Sequence, residues 1–149
     1  MRPYQLRKEP RIPVTKEGYQ KLLDDRAKFL AARPEAVKNL ADSRAMGDLS
    51  ENGYYKASRQ QLTFLDSRIR RVERLIRLAK IMESTHIKIS DGTNEYEYEI
   101  VGGFESDPTK HTISQQSPLG RATQGKKAGD MVDVITPRGI KKYTILALT

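Results

Sequence analysis

Leu62, Leu65, Ile69, Val72, Ile76 and Ala79 alternate steps of three and four residues, the spacing that keeps one seam of a helix facing a partner helix. A seam of this kind needs a second helix to close it. The preceding residues supply one: Thr15 reads as an N-cap, Glu17 lies in the first turn, and Tyr19, Leu22, Leu23, Phe29, Leu30, Val37, Leu40 and Ala41 recur at helical intervals. Only a short turn joins the two segments, so the simplest pairing is antiparallel within one chain. Each arm of about 30 residues is then roughly 45 Å long. Pro34 lacks the amide that an interior turn needs, which predicts a kink or brief break near Arg33-Pro34-Glu35. Phe64, Leu75 and Leu78 fall off the seam and are left for packing against the other half or another protein.

After Met82 the period changes from helical to alternating. Ile87 to Ser90 is a short strand candidate, and Asn94 to Val101 alternates Tyr96, Tyr98 and Ile100 with Glu95, Glu97 and Glu99. Asp91-Gly92-Thr93 between them is a hairpin turn signal. Ser117-Pro118 reads as a helix start, with Gly125 placed to end that helix. Met131 to Thr136 and Ile140 to Leu148, joined through Pro137-Arg138-Gly139, are two more strand candidates. The expected fold is therefore α+β: an N-terminal antiparallel helical hairpin over 1–83, then a small, largely antiparallel β domain with one short helix over 84–149.

The charge divides the same way. Residues 1–83 hold 19 Lys/Arg against 11 Asp/Glu, whereas residues 84–149 hold 8 of each, so the whole net charge of +8 belongs to the hairpin half. A polyanion or an acidic protein surface is the natural partner for such a strip. The chain has no cysteine and only two histidines, His86 and His111, which leaves little basis for thiol chemistry or a zinc site. It has neither an apolar run of about 18 residues nor a secretory signal pattern, so a cytoplasmic protein without membrane association is expected. A monomer is expected too.

The turn between the arms is Gly47-Asp48-Leu49-Ser50-Glu51-Asn52, with two carboxylates three residues apart. Asp48 as N-cap with Glu51 at the third helical position would satisfy free backbone donors. The same oxygens suit Mg²⁺, although two carboxylates alone make a weak site that needs ligands from a partner. The two readings are compatible. Arg70, Arg74 and Arg77 fall on one outward face of the second helix, with Arg68 and Arg71 beside them. This is either an ordinary solvated face or a contact surface for RNA or for acidic protein.

Met46-Gly47-Asp48-Leu49-Ser50-Glu51-Asn52 followed by Tyr55 resembles the tip of the bacterial GreA/GreB transcript-cleavage factors, and Arg33-Pro34-Glu35 matches an element of their first arm. Ser117-Pro118-Leu119-Gly120-Arg121-Ala122, then Gly125-Lys126 and Gly129-Asp130, is similar to their C-terminal signature. The resemblance implies a coiled coil inserted through the secondary channel of RNA polymerase and an FKBP-like domain docked at the channel rim, in the region of Ser117, Pro118 and Arg121. It implies that Asp48 and Glu51 share Mg²⁺ with the polymerase active site and stimulate the polymerase's own cleavage of backtracked RNA, the factor being no enzyme itself and holding no cofactor alone. Ser50, Asn52, Tyr54, Tyr55, Arg68, Arg70, Arg71, Arg74 and Arg77 would then face polymerase or the nascent RNA 3′ end. The family commonly has a further acid where this chain has Tyr54, and Ala where it has Gly53. Tyr54 can stack on a base or simply cover the turn. A secondary-channel regulator without cleavage stimulation, and a nucleic-acid-binding coiled coil unrelated to polymerase, are the competing readings.

Overall fold

The structure, a computed structural model, describes residues 10–47 and 51–149. These form two compact units, one of residues 10–18 with 79–149 and the other Tyr19–Leu78.

The second unit is the helical hairpin. Helix α1 (Lys16–Ala45) and helix α2 (Gly53–Leu78) account for nearly all of it. Contacts between the arms fix both direction and register. Arg26 Nε meets Glu73 Oε1 at 3.1 Å, and Arg33 Nε meets Asp66 Oδ1 at 2.8 Å; as one partner's number rises by seven, the other's falls by seven. The same rule carries on to the Arg44 guanidinium, 5.9 Å from the centre of the Tyr55 ring. The pairing is antiparallel, as the short connecting turn predicts, and all three contacts keep one register.

On α2 the seam is as read: Ile69 and Val72 are buried and Leu62, Leu65 and Ile76 half-buried. It also extends toward the turn through Ser58, 3% exposed, and half-buried Tyr55. Ala79, its expected last member, belongs to a strand, and buried Leu78 closes the helix instead. On α1 the buried line is Leu22, half-buried Phe29, Ala36 and Ser43, a seven-residue repeat. Leu23, Leu30 and Val37 flank it and stay 37–41% exposed, because a two-helix pair covers only a narrow stripe of each partner. The buried side chains thus shrink toward the turn, ending in Ser43 and Ser58.

Helix α1 runs through Pro34 without interruption, so the expected break does not occur. Pro34 is exposed, where water can satisfy the carbonyl that loses its amide partner, and the Arg33 to Asp66 pair holds the adjacent turn.

In the first unit, strand β1 (Ile12–Val14) pairs in parallel with strand β2 (Ala79–Ile81), with Ile12 opposite Ala79 and Val14 opposite Ile81. Neither strand is signalled in the sequence. The main sheet contains β3 (Thr85–Ser90), β4 (Glu95–Val101), β5 (Thr112–Ser114), β6 (Met131–Thr136) and β7 (Gly139–Leu148) in the order β5-β4-β3-β7-β6. All neighbours are antiparallel except β4 and β5, so the sheet is mixed. Ile87, Ile89, Ile100, Val132, Val134 and Ile145 form its core, with Leu119 and Ala122 of helix α3 (Pro118–Thr123) packed against it.

One carboxylate ties the start of α1 into this unit. Glu105 accepts hydrogen bonds from the Thr15 and Gly102 backbone amides, each at 3.0 Å, and from the Thr15 hydroxyl. Thr15 Oγ1 in turn accepts from the Gly18 amide at 3.0 Å, the predicted N-cap bond.

Candidate functional site at the hairpin turn

Of the two candidate carboxylates, Asp48 lies outside the described residues, as does Ser50, and Glu51 is exposed in the turn just before α2. The N-cap of α2 is Asn52: its side-chain Oδ1 accepts from the Tyr55 amide at 3.0 Å, and its backbone carbonyl accepts from the Lys56 amide at 3.1 Å. The expected cap of Asp48 with Glu51 three residues on is therefore not how α2 begins. Asn outcompetes it because it stands immediately before the first helical residue and is among the strongest capping residues. Glu51 precedes the cap, and its carboxylate is not spent on it.

Asn52 does a second thing that sequence reading missed. Its Nδ2 donates to the Ser43 carbonyl at 2.9 Å, joining the start of α2 to the end of α1. Ser43 is itself fully buried, its hydroxyl donating to the Leu40 carbonyl at 2.8 Å. Beside this bridge the Arg44 guanidinium faces the Tyr55 ring. Tyr54, one residue earlier, is 44% exposed.

The arginines are not equivalent. Arg68 lies over two rings, 4.4 Å from the Phe64 centroid and 5.6 Å from that of Phe29, so it covers apolar surface as well as carrying charge. Arg70 Nη2 donates to Ser67 Oγ at 3.2 Å. Arg71, Arg74 and Arg77 are exposed on the same helix. In the other unit, Ser117 caps α3 by accepting from the Gly120 amide at 3.0 Å, with Pro118 in the first turn and Gly125 at φ 71° just beyond the end. Arg121 is exposed there and lines a surface depression with Gln116, Pro118, Ala122, Asp133 and Ile135. Among the described residues no three His, Cys, Asp or Glu side chains converge as a metal site, and no helix is long and apolar enough to cross a membrane.

Fold and site together define a class: a small mixed-sheet domain joined to a two-helix hairpin whose turn exposes a carboxylate. Residues 12–81 match the family described as "Transcription elongation factor, N-terminal", and residues 79–149 match "Transcription elongation factor, GreA/GreB, C-term". The transcription elongation factor GreA of Rickettsia bellii (strain OSU 85-389) is 35% identical over 153 residues, covering 93% of this chain and 94% of the relative. GreA of Lactococcus lactis subsp. cremoris (strain MG1363) is 38% identical over 146 residues, covering 88% and 93%. Among solved structures, the GreA factor homolog 1 (Gfh1) protein of Thermus thermophilus aligns over 93% of this chain and 99% of its own, with 23% identity and a TM-score of 0.45. The chain belongs to the GreA/GreB family of transcription elongation factors.

Proposed function

We propose that this chain binds RNA polymerase, places its hairpin in the secondary channel and stimulates the polymerase's own hydrolytic cleavage of backtracked nascent RNA. Membership of the family supports the partner. The observation that carries the cleavage reading is that Asn52 caps α2, which leaves the Glu51 carboxylate exposed and uncommitted to the helix end. Asp48 and Glu51 are the proposed acidic pair. A hard cation held by them needs further oxygen ligands from polymerase or a phosphate, because two carboxylates do not complete a magnesium shell. When bound, Mg²⁺ supplies charge neutralisation and an acidified water for phosphodiester hydrolysis.

The chain's own contribution is presentation. The hairpin brings the carboxylates to the reacting centre, and Arg70, Arg71, Arg74 and Arg77 offer positive charge to RNA phosphates or acidic polymerase surface, positioning without reading sequence. Ser117, Pro118 and Arg121 mark the proposed docking region of the sheet unit. Cleavage would release a 3′ fragment and leave a new end in register for extension, so the factor rescues arrested complexes while polymerase remains the catalyst.

The test is cleavage of stalled, backtracked complexes with wild type, Asp48→Asn and Glu51→Gln. Wild type is expected to accelerate cleavage and each substitution to lower it by about 10²–10³-fold, the order seen when one transition-state stabilising group is removed. No acceleration by wild type sinks the proposal. Exposed Tyr54, where the family commonly has an acid, favours a second reading, a channel-bound regulator without cleavage stimulation. Inhibition of nucleotide addition that survives both tip substitutions would select it.

A further inference from the structure

The carboxamide of Asn52 is engaged at both ends, its oxygen capping α2 and its nitrogen reaching Ser43 on α1. The two bonds also fix its orientation, because only the nitrogen can donate to a carbonyl and only the oxygen can accept from an amide. We propose that Asn52 is the positioning residue of the hairpin turn, a bridge from the start of α2 to the end of α1 that sets where Glu51 points.

Glu51 and Asn52 are adjacent, so their Cα atoms are held about 3.8 Å apart, and anchoring one restricts the other. Ser43 is a firm anchor: it is fully buried and its hydroxyl is bonded one turn back along α1. Between Ser43 and Asn52 the chain includes Gly47 at φ 100°, a left-handed conformation that glycine adopts without strain and that adds no side chain to pack the helix end. Among the described residues the polar bridge joins the two helix ends, with the Arg44 and Tyr55 pair beside it. Asn has the reach and the chemistry for both jobs from this position. Asp can cap but has no hydrogen to give the Ser43 carbonyl, Ser can cap but carries its single hydroxyl on a shorter arm, and Gln is one methylene longer than the caps that Asn, Asp and Ser make. Catalysis by presented carboxylates is sensitive to displacement on the ångström scale, so the bridge acts on the reaction through Glu51 without touching substrate.

The functional consequence rests on the cleavage reading, but the bridge itself can be tested without it. In the full-length chain, nuclear magnetic resonance should show the Asn52 carboxamide protons protected from exchange and the Glu51 amide ordered. Asn52→Ser, which keeps a capping oxygen, should drop the Glu51 order parameter from about 0.85 to below about 0.6 while Leu65 and Val72 are unchanged. In backtracked complexes the same variant should lower the maximal cleavage rate at least about tenfold, with the half-saturating factor concentration within about twofold of wild type. An equally ordered Glu51 in Asn52→Ser overturns the proposal, and so does an unchanged maximal rate with weakened saturation, which would make Asn52 a polymerase contact. If wild type gives no stimulation, the cleavage reading fails, and the order parameter still decides the bridge.

Discussion

Glu105 shows how much one half-buried carboxylate can organise: it satisfies the backbone of Thr15 and Gly102 and holds the hydroxyl that caps α1. Gly18 and Gly102 make room for it, since a Cβ on Gly18 would collide with Glu105 Oε1 and one on Gly102 with Glu105 Oε2 and the Pro13 carbonyl. Glu105→Ala leaves those donors without an acceptor and should cost about 2 kcal/mol, read as a lower midpoint in urea with an unchanged slope. Gly53 has the opposite character. It lies in the first turn of α2 with nothing within 4 Å of where a Cβ would stand, so Gly53→Ala should raise hairpin stability by up to about 1 kcal/mol in the same measurement. Thr15 as a cap was legible because a cap is local. Its partner Glu105 was not, because no sequence pattern links groups ninety residues apart. Asn52 was misread because the Asp-x-x-Glu spacing drew the helix start four residues too early.

At the scale of elements, the register of the hairpin rests on a few long side chains reaching across a narrow apolar stripe. The hydrogen bond to Asp66, and then its charge, hold the Arg33 guanidinium above its usual range, although both partners are solvent-accessible and the pair is easily screened. Reversal of one charge, Arg33→Glu, should lower the thermal midpoint, and adding Asp66→Arg should restore it; failure of the double variant to recover would argue against this register. In the β3 to β4 turn the Asp91 carboxyl is held below the ordinary carboxylate range, first by the Asn94 amide, then by the Thr93 amide, with the Tyr96 hydroxyl adding a bond. A depressed carboxyl stabilises the folded state above its unfolded value, near 4, and that contribution is lost as pH falls through the folded value. Thermal midpoints should thus fall more steeply on acidification below about pH 4 in wild type than in Asp91→Asn. The α2 seam and strands β3, β4, β6 and β7 were legible because each is long enough to show its period. Strands β1, β2 and β5, at three residues each, are too short to show one. On α1 the exposed row Leu23, Leu30 and Val37 is more apolar than buried Ala36 and Ser43, so hydrophobicity alone pointed to the wrong edge of the stripe.

For the whole molecule, the excess of +8 falls in residues 1–83 but is shared between the units: Tyr19–Leu78 holds 13 Lys/Arg against 8 Asp/Glu, and residues 1–18 with 79–149 hold 14 against 11. On the proposed function, association with polymerase should weaken as salt rises, and replacing Arg71 and Arg74 by Gln should reduce that salt dependence in a binding titration. The path of the chain has another consequence. It leaves the sheet unit after β1 and returns at β2, and these two strands lie side by side in parallel, locked by three residue pairs and by the Met82 amide bonded to the Val14 carbonyl at 2.7 Å. A parallel pair always needs a crossover connection, and here the crossover is the entire hairpin. The hairpin is thereby a cassette clipped at its two ends: residues could be added to or removed from both arms in matched heptads, changing its reach, without moving a single strand register in the sheet.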